Sequence, residues 1–192
     1  MKTGLMAGVL ALFLAACTNP PPPPTSSVDI TFQHRPPIQV NVANIEVVDR
    51  SAPRVTANRI EQLHQQNPAS LARRWAEERL RASGASGQMT LIIEEAAVIE
   101  KSFPRSTGFS ALFKDEVDTR LEGVLAARLE YRQGPHSGSV DVKAEAFKEI
   151  LSDATLNERD AAYFDLLERL ARQFDETLTR DVEANFGDVL VR

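Results

Sequence analysis

Cysteine is almost missing from this chain: Cys17 is the only one among 192 residues. A single thiol excludes an intrachain disulfide and a thiolate metal site built within the chain. Histidine is also scarce. His34, His64 and His136 fall in three separate segments, without the i,i+4 pairing that converges ligands on zinc. Neither a metal nor a cofactor is therefore expected. Basic blocks are absent as well: 22 Lys and Arg stand against 27 Asp and Glu, a net charge of -5. Nucleic acid is disfavoured as a partner, because binding it needs clustered cations to neutralise phosphates. The chain holds no nucleophile elbow of the G-x-S-x-G kind and no P-loop. Ser137 follows His136 inside a turn cluster, which is turn chemistry and not a dyad. Glu94 and Glu95 are neighbours on an expected strand and should point to opposite faces, so they do not form a close carboxylate pair. These absences point away from an enzyme.

What the chain does have begins at its N-terminus. Lys2 gives a short positive region, Gly4 to Leu14 is apolar and uncharged, and Ala15, Ala16 and Cys17 are small. This is the layout of a secretory signal. As a helix the apolar run is roughly 16 Å long, against about 30 Å of bilayer hydrocarbon, so a permanent span is the weaker reading. Leu14-Ala15-Ala16-Cys17 resembles the lipobox of bacterial lipoproteins. An ordinary signal peptide with an incidental cysteine is the plainer alternative. The coincidence of charge, apolar length, small residues and a junctional cysteine favours the lipobox. The resemblance implies cleavage before Cys17, diacylglycerol on its sulfur and an acyl chain such as palmitate on its new amino group. Cleavage removes residues 1–16 and leaves a chain one charge more acidic. Thr18 follows the cysteine where Asp would favour retention at the inner membrane, which implies the outer membrane, facing the periplasm.

The expected organisation is a signal peptide over 1–16, an anchor and tether over 17–37, and one domain over 38–192. Pro20 to Pro24 favour polyproline II, a stiff spacer. A docking segment for an aromatic groove is the sharper alternative use. Pro36 and Pro37 mark a second break. Ile38, Val40 and Val42 alternate with polar or small residues, and Ile45 and Val47 resume with the opposite parity; the pattern reads as one strand broken near Ala43-Asn44. Residues 49–67 read as loop, with a short helical piece near 58–66. Asn67-Pro68 starts a helix over 68–82 that Gly84 stops. Its apolar stripe includes Trp75, expected in the core, and its other face carries Arg73, Arg74, Glu77, Glu78 and Arg81, expected in solvent. A second strand covers 89–100.

Nearly strict alternation from Val117 to Tyr131 and from Val140 to Ala146, around the turn residues 133–138, reads as a β-hairpin; Leu121, Val124, Leu125 and Leu129 also fit a helical stripe, which Gly123 weakens. Asn157 is the expected cap of a last helix over 158–186. Its stripe runs from Tyr163 through Leu166, Leu170, Phe174 and Leu178 to Phe186. Asp175, Glu176, Asp181 and Glu183 are assigned to its wet face, and its length suggests an overhanging end. The order β-α-β-β-β-α predicts an α+β fold: a mostly antiparallel four-stranded sheet with two helices packed on one face and a long C-terminal helix.

Between the second strand and the hairpin, 101–116 is an insertion holding three of the nine phenylalanines. Phe103, Phe109, Leu112 and Phe113 are the candidate contact residues there, since a wet loop rarely carries so much apolar surface without a use. With anchor, tether and element order in place, residues 38–187 are similar in layout to the ABC-type transport auxiliary lipoprotein family. The resemblance rests on layout and length, and it carries over no residue roles. It implies a non-enzymatic accessory of an intermembrane transport system. Its partners would be the membrane, through Cys17, and an envelope protein. A carrier of lipid or another small apolar ligand is the alternative, and a structural lipoprotein that binds peptidoglycan or assists outer-membrane assembly is a third.

Overall fold

The computed structural model describes residues 29–51, 58–104 and 116–191. The apolar run after the prolines makes two strands, β1 (Ile38–Val40) and β2 (Asn44–Asp49), and they belong to different sheets. The parity switch marks this change of sheet; it is not a bulge within one strand. β1 pairs in parallel with the short β3 (Leu80–Ala82). β2 pairs in parallel with β4 (Gln88–Ser102). Gly84, expected to stop the first helix, instead lets two backbones meet: a Cβ there would lie 2.5 Å from the carbonyl carbon of Asn41.

Helix α1 (Pro68–Arg79) connects the parallel strands. Asn67 caps it as expected, accepting from the Ser70 N–H at 3.0 Å while Ser70 Oγ accepts from the Asn67 N–H. The helix stops at Leu80, which is already extended. The hairpin strands β5 (Val117–Gln133) and β6 (His136–Leu151) are longer than the alternation suggested, because only Gly134 and Pro135 separate them. Gly134 has a φ of 56°, which glycine adopts without strain. The main sheet runs β2-β4-β5-β6 and is antiparallel except for the β2–β4 pair.

The last helix, α2 (Leu156–Asn185), starts two residues earlier than expected. Thr155, not Asn157, is the cap, and Glu158 completes a capping box. Its 30 residues span about 45 Å, while the 17-residue β5 spans roughly 55 Å, so the helix does not outrun the sheet. Both helices cover one face. Leu166, Leu167, Leu170, Phe174 and Leu178 of α2 and Leu71 and Trp75 of α1 are buried with Met89, Leu91, Ile93, Leu125, Ala127, Leu129, Val142 and Ala144 of the strands. Gly123 permits the close approach of α2, since a Cβ there would sit 2.7 Å from Leu170 Cδ1.

Among the described residues the other face carries no helix and is laced with charge pairs, among them Arg128–Asp141, Lys143–Glu145 and Lys101–Glu122, each at 2.6 Å. A bulge at Glu94 interrupts the β4–β5 register between Ile93 and Glu95. Glu94 and Glu95 do not divide between the faces: each bears on a cation of the helix-free face, Glu94 on Arg128 and Glu95 on Lys143. Both sheet edges are partly blocked. Residues 58–60 pair beside the second half of β4, with Ile60 N–H donating to Val98 C=O at 3.0 Å, where a helical piece was expected. Only Glu61–Leu63 forms a 3-10 turn. At the opposite edge, Gln173 Oε1 accepts the Glu145 N–H at 3.2 Å.

Candidate functional site

The insertion predicted to carry contacts springs from one end of the main sheet, where β4 and β6 finish and β5 begins. Of the four candidate residues, Phe103 lies there, partly exposed. Phe109, Leu112 and Phe113 lie outside the described residues, as does Cys17. Phe103 is held by its backbone, whose N–H donates to Asp118 C=O at 2.7 Å. Its ring faces Arg120 of β5, and the guanidinium carbon is 5.6 Å from the ring centroid.

Sequence reasoning missed the rest of this cluster. The same guanidinium lies 5.0 Å from the ring of Phe147 on β6, which is 56% exposed, so Arg120 sits against two aromatic rings. Such contacts contribute about 0.5–1 kcal/mol each at exposed sites. Arg120 Nη2 also donates to Glu149 Oε1 at 2.5 Å, while its Nε is buried and has no hydrogen-bond partner among the described residues. Leu151, opposite Val117 in the register, and Leu156, the first residue of α2, add exposed apolar surface at the same end. Phe147 could have been found from its phase: on the outward row Asp141, Lys143, Glu145, Phe147, Glu149 it is the one apolar member. Beside it a shallow groove of about 350 Å³ is lined by Ile99, Val124 and Phe147 with Lys143 and Glu95. Among the described residues the arrangement presents apolar and cationic contacts.

A second feature lies where the N-terminal segment meets the helices. Ile30 and Phe32 are buried in the core. Arg74 Nη1 donates to Ile30 C=O at 2.7 Å and Glu78 Oε2 accepts the Phe32 N–H at 2.5 Å. These two residues, assigned to a solvated face, therefore hold the chain ahead of β1. Asp175, also assigned to solvent, is buried. It accepts from Trp75 Nε1 at 2.8 Å and from Arg79 Nε at 3.0 Å, and it pairs with Arg35 at 3.3 Å. Arg79, buried as well, reaches on to the Pro36 carbonyl. Trp75 is the core anchor expected of it, packed edge-on against Phe174. A cleft of about 670 Å³ opens between residues 29–35 and α2, lined by Ile30, Phe164, Arg169, Arg172 and Glu176.

The histidines stay apart. His34 lines this cleft, and His136 lies 3.6 Å from Asp188. His64 stacks on Tyr163 with ring centroids 3.6 Å apart, and burial lowers its pKa below the ordinary histidine value despite the nearby Asp160 carboxylate. Burial, and next to it the charge of Glu61, pushes the Tyr163 hydroxyl above its ordinary range, and that hydroxyl donates to Gln66 C=O at 3.0 Å. Among the described residues no group of three or more His, Cys, Asp or Glu is placed to hold a metal ion. No protein-family model matches the chain, and no curated protein matches it.

Proposed function

We propose that this protein is a non-enzymatic envelope lipoprotein, anchored through lipidated Cys17 and acting as an accessory of an intermembrane transport system of the ABC type. The lipobox-like Leu14-Ala15-Ala16-Cys17 supports the anchor. The observation that carries the reading of a binding module at an envelope surface is the aromatic end of the sheet; the accessory role itself rests on the similarity of layout. Phe103, Arg120 and Phe147 form a preset contact surface on a face whose other outward charges largely pair with each other. A binding module uses such a surface; an enzyme needs converging reactive groups. The test is purification of the lipidated chain from its envelope in mild detergent. Co-purification of a membrane permease or its ATP-driven subunit is expected. Recovery of the intact anchored chain with no transport component contradicts the role.

The 670 Å³ cleft favours a second reading, a carrier of a small apolar ligand, since its volume falls within the roughly 300–1,000 Å³ of ligand sites. Native mass spectrometry of the delipidated chain checks this. A retained mass supports the carrier, and a clean apo mass removes it.

A further inference from the structure

The exposed apolar residues are unevenly placed. Among the described residues, the large hydrophobic side chains more than about a third exposed are Leu63, Phe103, Phe147, Leu151, Leu156 and Val191. Phe103, Phe147, Leu151 and Leu156 gather at the end of the sheet where α2 begins. Leu63 precedes α1 in the same half, and Val191 alone lies at the opposite end, paired back to Gln39. Leu156 is 74% exposed as the first residue of a 30-residue helix, a position where any polar residue would serve as well. Folding therefore does not account for this clustering.

The chain ahead of the domain says what covers that end. Asp29, the first described residue, lies 3.7 Å from Arg74, and the Ile30 N–H donates to Gln66 Oε1, while the Gln66 carbonyl accepts from Tyr163 of α2. At about 1.5 Å per residue Tyr163 is roughly 10 Å from the apolar start of α2 and about 33 Å from its other end. The tether thus enters on the apolar half. Residues 18–28 separate Asp29 from Cys17, and extended or as polyproline II they reach at most about 40 Å. A lipid on Cys17 keeps the bilayer within reach of the apolar end, as a short linker raises the effective concentration of a second contact. Charge around the end fits a neutral surface. Arg120 pairs with Glu149, Lys101 with Glu122, and Arg159 lies 3.7 Å from Asp118, so among the described residues no unpaired cationic patch stands out to seek anionic headgroups.

We infer that Phe103, Phe147, Leu151 and Leu156 form a lipid-contacting surface that rests on the membrane holding Cys17, so that the partner of the contact end is the bilayer interface. This deepens the anchored-lipoprotein reading and rests on it. The acyl chains on Cys17 already suffice for stable attachment; the contact sets which end of the domain faces the bilayer. Being apolar and not electrostatic, it is insensitive to salt.

The test uses Phe147→Trp and, as a control on the opposite end of β6, Ser139→Trp. Trp75 is fully buried and serves as the reference emission that a lipid quencher does not reach. Each chain, purified with its native lipid and separately coupled through Cys17 to a maleimide lipid, is placed in phosphatidylethanolamine–phosphatidylcholine vesicles containing brominated lipid. The added emission of F147W is expected to be largely lost, at low and high salt alike, and that of S139W to be kept. Equal retention in both variants, with the chain on the vesicles, overturns the contact and leaves the end to a protein partner. Quenching only in the maleimide-coupled chain, together with a native chain that carries no lipid, keeps the surface and overturns the anchor.

Discussion

Asp175 illustrates what a single side chain can conceal. Its row on α2 runs Ala171, Asp175, Thr179, Val182, inside the apolar stripe, so its burial was legible from spacing once charge was set aside. Its partner Arg79 lies 96 residues away, which no local pattern shows. Truncation leaves the buried Arg79 guanidinium with the Pro36 carbonyl and Thr179 Oγ1 but without its carboxylate. Asp175→Ala is expected to lose about 3–5 kcal/mol of unfolding free energy, measured by guanidinium denaturation; a loss under about 1 kcal/mol contradicts the role given to the pair. His64 provides a pH readout. With its pKa lowered in the fold, the unfolded chain binds the proton more readily. Its contribution to stability is complete above the ordinary value of 6.5 and declines as pH falls from there through the folded value. His64→Phe should flatten stability across that window, and NMR titration of His64 should give a midpoint below 6.5. Phe147 was legible by phase, whereas Arg120 joins the site only through the β5–β6 register.

At the scale of elements, the long alternations and the α2 stripe were readable because their periods persist over many residues. Boundaries were not, because they depend on caps and remote pairings. Thr155-x-x-Glu158 is a capping box that the sequence contained, and Asn157, two residues on, is a competing cap by residue type alone. Thr155→Ala is expected to cost about 1 kcal/mol in thermal or chemical unfolding. The hydrogen bonds from Thr155 hold the Glu158 carboxyl below its ordinary 4.5. The contribution of this cap is present above 4.5 and lost as pH falls through the lower folded value, and Glu158→Gln should remove that pH dependence. Gly123 reads as a helix breaker in sequence and serves as a landing place for Leu166 and Leu170 in the fold. Gly123→Ala overpacks this contact and should cost about 1–3 kcal/mol. The division of residues 38–49 between two sheets was hidden, because it is decided by which of β3 and β4 each half meets.

For the whole molecule, the α+β layout followed from element order, since few packings bury two amphipathic helices and a four-stranded sheet. The polarity of the molecule did not, because it emerges only when the ends of β4 and β6 and the start of α2 are brought together. One end carries the exposed Phe103, Phe147 and Leu156, and the tether enters on that half. The stability of the domain should be almost indifferent to that end: Phe147→Ser is expected to change unfolding free energy by no more than about 1 kcal/mol, the size of a surface cation–π contact, while weakening membrane contact. The proposed membrane contact rests on a chain held at a membrane by Cys17. The most direct measurement is the intact mass of the protein purified from cells that make it. A chain beginning at Cys17 and carrying the mass of a diacylglyceryl group and an acyl chain is the expected result. A mature chain that begins elsewhere, or that retains a free thiol at Cys17, contradicts it.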